Sequence, residues 1–115
     1  MPIDLTFREA IDLFRSNYHR FEKIEGRTWG VEGATIELMK QVGELAKHVM
    51  VAEHYYFAGR ENQPAYKTDN EVLGDELADI FSMLIRIADY YDIDLVEAHI
   101  KARVAESRSL TQMGV

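Results

Sequence analysis

The stretch LGDELADIFSMLIRIADYY, residues 73–91, decides the fold of this chain. Its apolar side chains recur at intervals of three and four residues, at Leu73, Leu77, Ile80, Phe81, Leu84, Ile87 and Tyr91. This spacing is that of one face of an α-helix. Thr68 and Glu71 predict a capping box where the helix begins. The stretch is therefore predicted to form a long amphipathic helix.

The segments on either side of this stretch predict three further helices. Capping pairs, Thr6 with Glu9 and Asp94 with Glu97, open the first and the last of them. The predicted limits are 7–23, 33–57 and 94–107, with fraying after residue 107 and a loop at residues 59–67. No run of alternating apolar and polar residues between turn signals predicts a strand. We therefore expect one all-α domain over residues 1–115, a four-helix bundle.

The composition excludes several classes of function. The chain has 115 residues, a formal charge of −7 and no cysteine, so disulfides and thiolate chemistry are ruled out. The acidic balance argues against binding a nucleic-acid polymer, which needs a basic surface. No apolar run approaches the ~18 residues that a membrane helix requires. These features predict a cytoplasmic protein that does not bind membranes.

The predicted second helix is apolar on two sides. Its inward stripe contains Ala34, Leu38, Leu45, Ala52 and Tyr56, and a second group lies roughly opposite, at Ile36, Met39, Gly43, Ala46 and Met50. A helix with two apolar faces is usually buried on both. Either a second copy of the chain covers the second face, giving a homo-oligomer, or the last helix covers it.

Acidic side chains interrupt the apolar stripes of the second and third predicted helices. At 100° per residue, four polar residues of the second helix share an arc of about 60°, and they are Glu37, Gln41, Glu44 and His48. Glu76 and Asp79 lie on the third helix, within or beside its stripe. Inward carboxylates are usually paired or metal-bound, and carboxylate oxygens suit Mg²⁺. The alternatives are a solvated acidic edge and, for His48, a hydrogen-bonded core histidine.

Three segments resemble the MazG-like, all-α nucleoside triphosphate pyrophosphohydrolases. They are QVGELAKHV at residues 41–49, DELADIFSMLIRIADYYDIDL at 75–95 and AHIKARVAESR at 98–108. The resemblance implies a four-helix core assembled as a homodimer or homotetramer. It also implies Mg²⁺-dependent hydrolysis of a nucleoside triphosphate to the monophosphate and pyrophosphate, in nucleotide-pool clean-up.

The resemblance also implies roles for the acidic residues. Glu44, Glu76 and Asp79 match metal ligands of the family, and Gln41 stands where the family has the first Glu of E-x-x-E. An amide oxygen can bind Mg²⁺ but contributes no charge. Either Glu37, one turn earlier, supplies the missing carboxylate, or its side chain turns to a neighbouring cation. Glu44 or Glu37 would handle the attacking water.

The predicted substrate-binding residues are Lys101, Arg108 and Trp29. Lys101 and Arg108 match basic residues of the family near the phosphates; the alternative is that they are ordinary solvated cations. Trp29 is placed to stack on a base or to pack in the core. Ala105 stands where the family often has Asn. The departures at Gln41 and Ala105 keep a second hypothesis open, a catalytically degenerate module that binds nucleotide or a partner protein. A purely structural helical module is the third.

Overall fold

A computed structural model describes residues 4–115, and every regular element within them is helical. The five α-helices are α1 (Phe7–Glu22), α2 (Val31–Ala52), α3 (Ala58–Glu61), α4 (Asn70–Tyr90) and α5 (Leu95–Gln112), and a 3₁₀ turn spans Pro64–Tyr66. The all-α prediction is confirmed. The segment 59–67, predicted as a loop, instead contains most of α3 and the 3₁₀ turn.

Side-chain caps begin three of the helices, and two of them were predicted correctly. The Thr6 hydroxyl accepts from the Glu9 N–H at 3.1 Å while the Glu9 carboxylate accepts from the Thr6 N–H, forming the capping box of α1. Asp94 caps α5 by accepting from the Glu97 N–H at 3.0 Å. The capping box predicted at residues 68 and 71 is wrong, because Asp69 caps α4 instead.

The predicted ends of two helices are also wrong. Helix α2 stops at Ala52 rather than residue 57, because His54 adopts a left-handed φ of 60°. The Tyr55 N–H then reaches back to the Met50 carbonyl at 2.9 Å, which closes the helix in the manner of a Schellman motif. Such a cap usually has glycine, so no residue type at this position signals the end of the helix. Helix α5, by contrast, continues to Gln112 instead of fraying after residue 107.

The core lies where α4 packs against α2 and α1. The buried apolar residues are Ile11 of α1, Ala34 and Val51 of α2, and Met83, Ile85 and Ala88 of α4. Because α4 has neighbours on two sides, its buried surface is wider than one stripe. Leu77 and Leu84, predicted to be in the core, are exposed, whereas Ile85 is almost completely buried. On α2, Ala52 is exposed and Val51 is buried in its place.

A polar contact holds α1 against α4. The Arg15 guanidinium donates through Nε to Asp89 Oδ2 at 2.9 Å and through Nη2 to Asp89 Oδ1 at 3.1 Å. The Tyr18 hydroxyl donates to the same carboxylate at 3.2 Å. A bidentate pair of this kind fixes orientation as well as distance. The contact therefore sets the angle at which α1 lies on the α2–α4 pair.

Helix α5 and one side of α2 are not covered within the single chain. No residue of α5 is buried, and Ile36 and Met39 of α2 are 69% and 65% exposed. The alternative that the last helix covers this face of α2 is therefore wrong. The radius of gyration is 18.0 Å, whereas a compact chain of this length has about 13 Å. Across residues 4–115, no helix has both the length and the apolar character required to cross a membrane.

Candidate metal centre

Glu44, His48 and Glu76 come together between α2 and α4. Each offers one ligand atom, and the three atoms lie within 4.8 Å of one another. Glu44 and His48 are one turn apart on α2, so they face the same way, and Glu76 approaches them from α4. These three residues, which we call the metal group, could hold a metal ion.

His48 is the most buried member of the metal group, with 7% of its surface exposed. Its Nε2 lies 3.9 Å from Glu76 Oε1, which is too long for a hydrogen bond. Its Nδ1 is buried and has no hydrogen-bond partner among residues 4–115. The interpretation of His48 as a hydrogen-bonded core histidine is therefore wrong in one respect: the ring is in the core, but it is not hydrogen-bonded.

Gln41 and Glu37 lie on α2 beside the metal group and contact each other. The Gln41 amide donates through Nε2 to Glu37 Oε1 at 3.4 Å, a long contact. Gln41 Oε1 is buried without a partner. The Lys40 ammonium lies 2.9 Å from Glu37 Oε1, and this hydrogen bond raises the pKa of Lys40. Glu37 is therefore neutralised in part by Lys40, and the Gln41 carbonyl oxygen remains unpaired.

Asp79 lies one turn beyond Glu76 on α4 and outside the metal group. Its side chain is largely accessible, yet partial burial raises its pKa, and the negative charges of Asp75 and Glu37 raise it further. Glu37 is on α2, so the two helices bring their acids within electrostatic range of each other. Proximity of like charges favours a bound cation. The predicted ligand Asp79 thus borders the centre.

Lysine side chains balance part of this negative charge. The alternative that Glu37 turns to a neighbouring cation is correct, because Glu37 pairs with Lys40, whereas the pairing of Glu44 with Lys47 was not predicted. Lys47 Nζ lies 3.2 Å from Glu44 Oε2 and 5.3 Å from the centre of the Tyr66 ring. Lys40 and Lys47 each follow a glutamate by three residues, a spacing at which helix side chains meet. That spacing is visible in the sequence and would have predicted both pairs.

Trp29 packs against α4 and also borders a cleft near the acids. The Arg86 guanidinium lies 4.8 Å from the Trp29 ring centre, and Arg86 Nη1 is 3.7 Å from Glu25 Oε1. Trp29, Ile36 and Glu37 line a cleft of about 340 Å³ at the start of α2. Trp29 is therefore anchored by a cation–π contact on the side of α2 where the acids begin.

Lys101 and Arg108 lie on α5, and both are exposed. Among the described residues, neither forms an ion pair with an acid of α2 or α4. Ala105 is exposed on the same helix. The chain thus brings together Glu44 of α2 and Glu76 of α4 but leaves the predicted phosphate-binding residues unpaired with them among the described residues.

A cavity of about 510 Å³ lies away from the metal group, between α1, α4 and the start of α5. It is lined by Arg15, Tyr18 and Asp89, among others, and by no member of the metal group. The polar atoms of these three residues bind one another. The cavity therefore borders the contact that orients α1.

No protein-family model matches this chain, and neither a curated protein nor a solved structure matches it. The likeness to MazG-like enzymes rests on the three motifs of the sequence alone. The arrangement of Glu44, His48 and Glu76 is independent of that likeness, because it follows from how α2 and α4 pack.

Proposed function

We propose that this chain is a Mg²⁺-dependent nucleoside triphosphate pyrophosphohydrolase of the MazG-like kind, acting in nucleotide-pool clean-up in the cytoplasm. The observation that carries the proposal is the metal group, in which α2 and α4 offer three ligand atoms within 4.8 Å. Two helices that place carboxylates around one point provide what phosphate chemistry requires of a protein, a fixed position for a cation.

The acidic residues divide into ligands and a water-handling group in this proposal. Glu44, Glu76 and Asp79 would hold Mg²⁺ together with the Gln41 carbonyl oxygen, which is buried and lacks a partner. When bound, the ion would neutralise charge that develops on the phosphates. Glu44 or Glu37 would orient the attacking water and accept its proton. Water adds to phosphorus, the bridging P–O bond breaks, and pyrophosphate leaves with the bond's electron pair.

Substrate binding would involve Trp29, Lys101 and Arg108. Trp29 lines the same cleft as Glu37, so a base held there would point its phosphates toward the acids. Lys101 and Arg108 would contact the phosphates from α5. We also propose a homodimer or homotetramer, because α5 and the second face of α2 present apolar side chains that the single chain leaves exposed.

A second function, binding of a nucleotide or a partner protein without turnover, is favoured by the contacts of Gln41 and Glu44. Gln41 carries no charge and already donates to Glu37, and Glu44 is paired with Lys47. Both contacts reduce the negative charge available to a cation. A chain of this kind would bind nucleotide but release no pyrophosphate.

Pyrophosphate release across a panel of nucleoside triphosphates, with and without Mg²⁺, tests the proposal. We expect Mg²⁺-dependent release that Glu44→Gln abolishes. Glu53→Gln is the matched control, because Glu53 is exposed at the end of α2 and outside the metal group. Binding of nucleotide without release would support the second function. If no pyrophosphate is released and Mg²⁺ does not raise the melting temperature, both functions are overturned.

A further inference from the structure

The metal group differs from a purely acidic site because it contains an imidazole. Glu44 and Glu76 contribute carboxylate oxygens, and His48 contributes a ring nitrogen. Mg²⁺ prefers oxygen ligands and keeps much of its water shell. Imidazole nitrogen suits first-row transition ions instead. The types of ligand in the metal group therefore indicate which cation it prefers.

The imidazole of His48 is held in the core without the partners that a structural histidine normally has. It is more than nine-tenths buried, its Nδ1 has no hydrogen bond, and its Nε2 is 3.9 Å from the nearest carboxylate oxygen. Buried polar atoms are nearly always paired. A cation that accepts the lone pair of Nε2, the nitrogen that faces Glu76, would give that atom a partner, and the proton of the ring would then stay on Nδ1.

We propose that His48 is a metal ligand, and that the metal group takes a transition ion of the series Mn²⁺ to Zn²⁺ in preference to Mg²⁺. This inference replaces Mg²⁺, the cation named in the proposed function, with a transition ion, and it rests on that proposal only for the position of the centre. It does not require hydrolysis.

The spacing of the three ligand atoms suits such an ion. Two donors that each bind one ion at about 2.1 Å lie about 3–4 Å apart, depending on coordination geometry. Nε2 of His48 and Oε1 of Glu76 are 3.9 Å apart, which lies in this range, and all three ligand atoms lie within 4.8 Å of one another. Two carboxylates also match the charge of a divalent ion, and Glu44 pairs with Lys47 through only one of its oxygens.

Titration with Co²⁺ alone tests the proposal, because its visible absorption reports nitrogen and oxygen ligands directly. We expect Co²⁺ to bind at least tenfold more tightly than Mg²⁺. His48→Gln should weaken Co²⁺ at least tenfold, about 1.4 kcal/mol, and change Mg²⁺ affinity less than about twofold. His99→Gln is the matched control, because His99 is exposed on α5 and contacts Arg103.

A measurement on the unaltered chain covers the case in which His48→Gln does not fold. Nitrogen NMR of the four histidine rings during Zn²⁺ addition should shift one buried ring first, with saturation at one ion per chain. Equal affinities for Co²⁺ and Mg²⁺, unchanged Co²⁺ binding in His48→Gln, or no shift of a buried ring would overturn the inference. In those cases, pyrophosphate release with Mg²⁺ would still support the proposed function. Conversely, Co²⁺ binding without any pyrophosphate release would support this inference and contradict the proposed function.

Discussion

Helices α4 and α5 are of similar length, but one is enclosed by the chain and the other is not. α4 buries Met83, Ile85 and Ala88 between α1 and α2. α5 buries nothing, although Ile100 and Val104 form an apolar stripe along it. Its hydrophobic residues therefore gain little from folding within one chain.

This difference separates what the chain builds alone from what a second copy would complete in the proposed assembly. The metal group lies on α2 and α4, so its geometry follows from contacts within the chain. Lys101 and Arg108 lie on α5, so their proposed role depends on assembly with another copy.

The largest expected effect is on stability, in a pair of matched truncations. Ile85→Ala removes a side chain that is 2% exposed and should lower the free energy of unfolding by about 2–5 kcal/mol at any protein concentration. Ile100→Ala makes the same change on α5, where about half of the side chain is exposed. Its cost should depend on concentration, because covering Ile100 requires a second copy. Urea unfolding at two protein concentrations measures the loss of stability in both variants. Equal losses that do not depend on concentration would contradict the difference between α4 and α5.

Glu76→Gln should abolish turnover at the centre. Removing one carboxylate from the metal group should lower kcat/KM about a hundredfold or more, which corresponds to about 2.7 kcal/mol. The metal-free chain should be as stable as before or more so, because repulsion among the acids is relieved. Glu71→Gln, an exposed acid on the same helix, is the control and should keep its activity. A loss of about 3–5 kcal/mol in metal-free stability would instead mark Glu76 as half of a structural ion pair.

Val104→Asp should weaken association between copies. A carboxylate on the apolar stripe of α5 must be desolvated when that stripe is covered, and we expect about a thirtyfold loss of association, or about 2 kcal/mol. Ala102→Asp adds the same charge on the opposite side of α5 and should have little effect. Light scattering after size-exclusion chromatography reports the mass. A wild-type chain that is monomeric at all concentrations would refute the proposed assembly.

The sequence predicted the helices well because their signals are local. The capping pairs at Thr6 and Asp94 act over three residues, and their hydrogen bonds are present. The end of α2 was missed because His54, and not a glycine, takes the left-handed conformation. Nothing in the residue type requires that conformation, and it depends on how the chain turns toward α3.

The candidate centre was predicted in part, because helix periodicity is a local signal and the packing between helices is not. Periodicity placed Glu44 and Glu76 on inward arcs, and the structure brings them together. Periodicity also placed His48 on the arc of Glu44, but it gave no indication that the ring would lack a hydrogen bond, since that depends on how α2 packs against α4. Gln41 and Asp79 were predicted as ligands from the motif, and they lie beside the metal group. Whether either binds the ion stays a prediction.

Gln41→Glu tests whether a further carboxylate improves the centre. In the unaltered chain Gln41 donates to Glu37, and an added carboxylate would repel Glu37 while offering a charged ligand. We expect divalent ions to bind about tenfold more tightly, about 1.4 kcal/mol, and the metal-free chain to lose stability. Gln63→Glu, in the exposed segment before the 3₁₀ turn, is the matched control. Unchanged or weaker binding would mean that Glu37 already supplies the charge, and Glu37→Gln should then remove most of the activity.

The smallest expected effect concerns the pH dependence of Asp79. Its pKa in the folded chain is raised above the ordinary value of 3.8, first by burial and then by Asp75 and Glu37. The folded chain therefore holds this proton to a higher pH than the unfolded chain. Metal-free stability should fall as pH rises from 3.8 through the raised pKa, and the ionised carboxylate then remains unfavourable at higher pH.

Asp79→Asn should remove this dependence. The variant and the wild type should be equally stable below the unfolded pKa, and above the raised pKa the variant should be more stable by less than about 1 kcal/mol, because water screens an exposed group. Asp4→Asn, outside the helices, is the control. Thermal unfolding in chelator from pH 3 to pH 8 measures the difference between the curves. If Asp79 also binds the cation, adding a divalent ion should reverse the order of stability at neutral pH, since the ion favours the ionised carboxylate that the variant lacks. If the difference in stability between the variant and the wild type does not change with pH, the acids of α2 do not raise the pKa of Asp79.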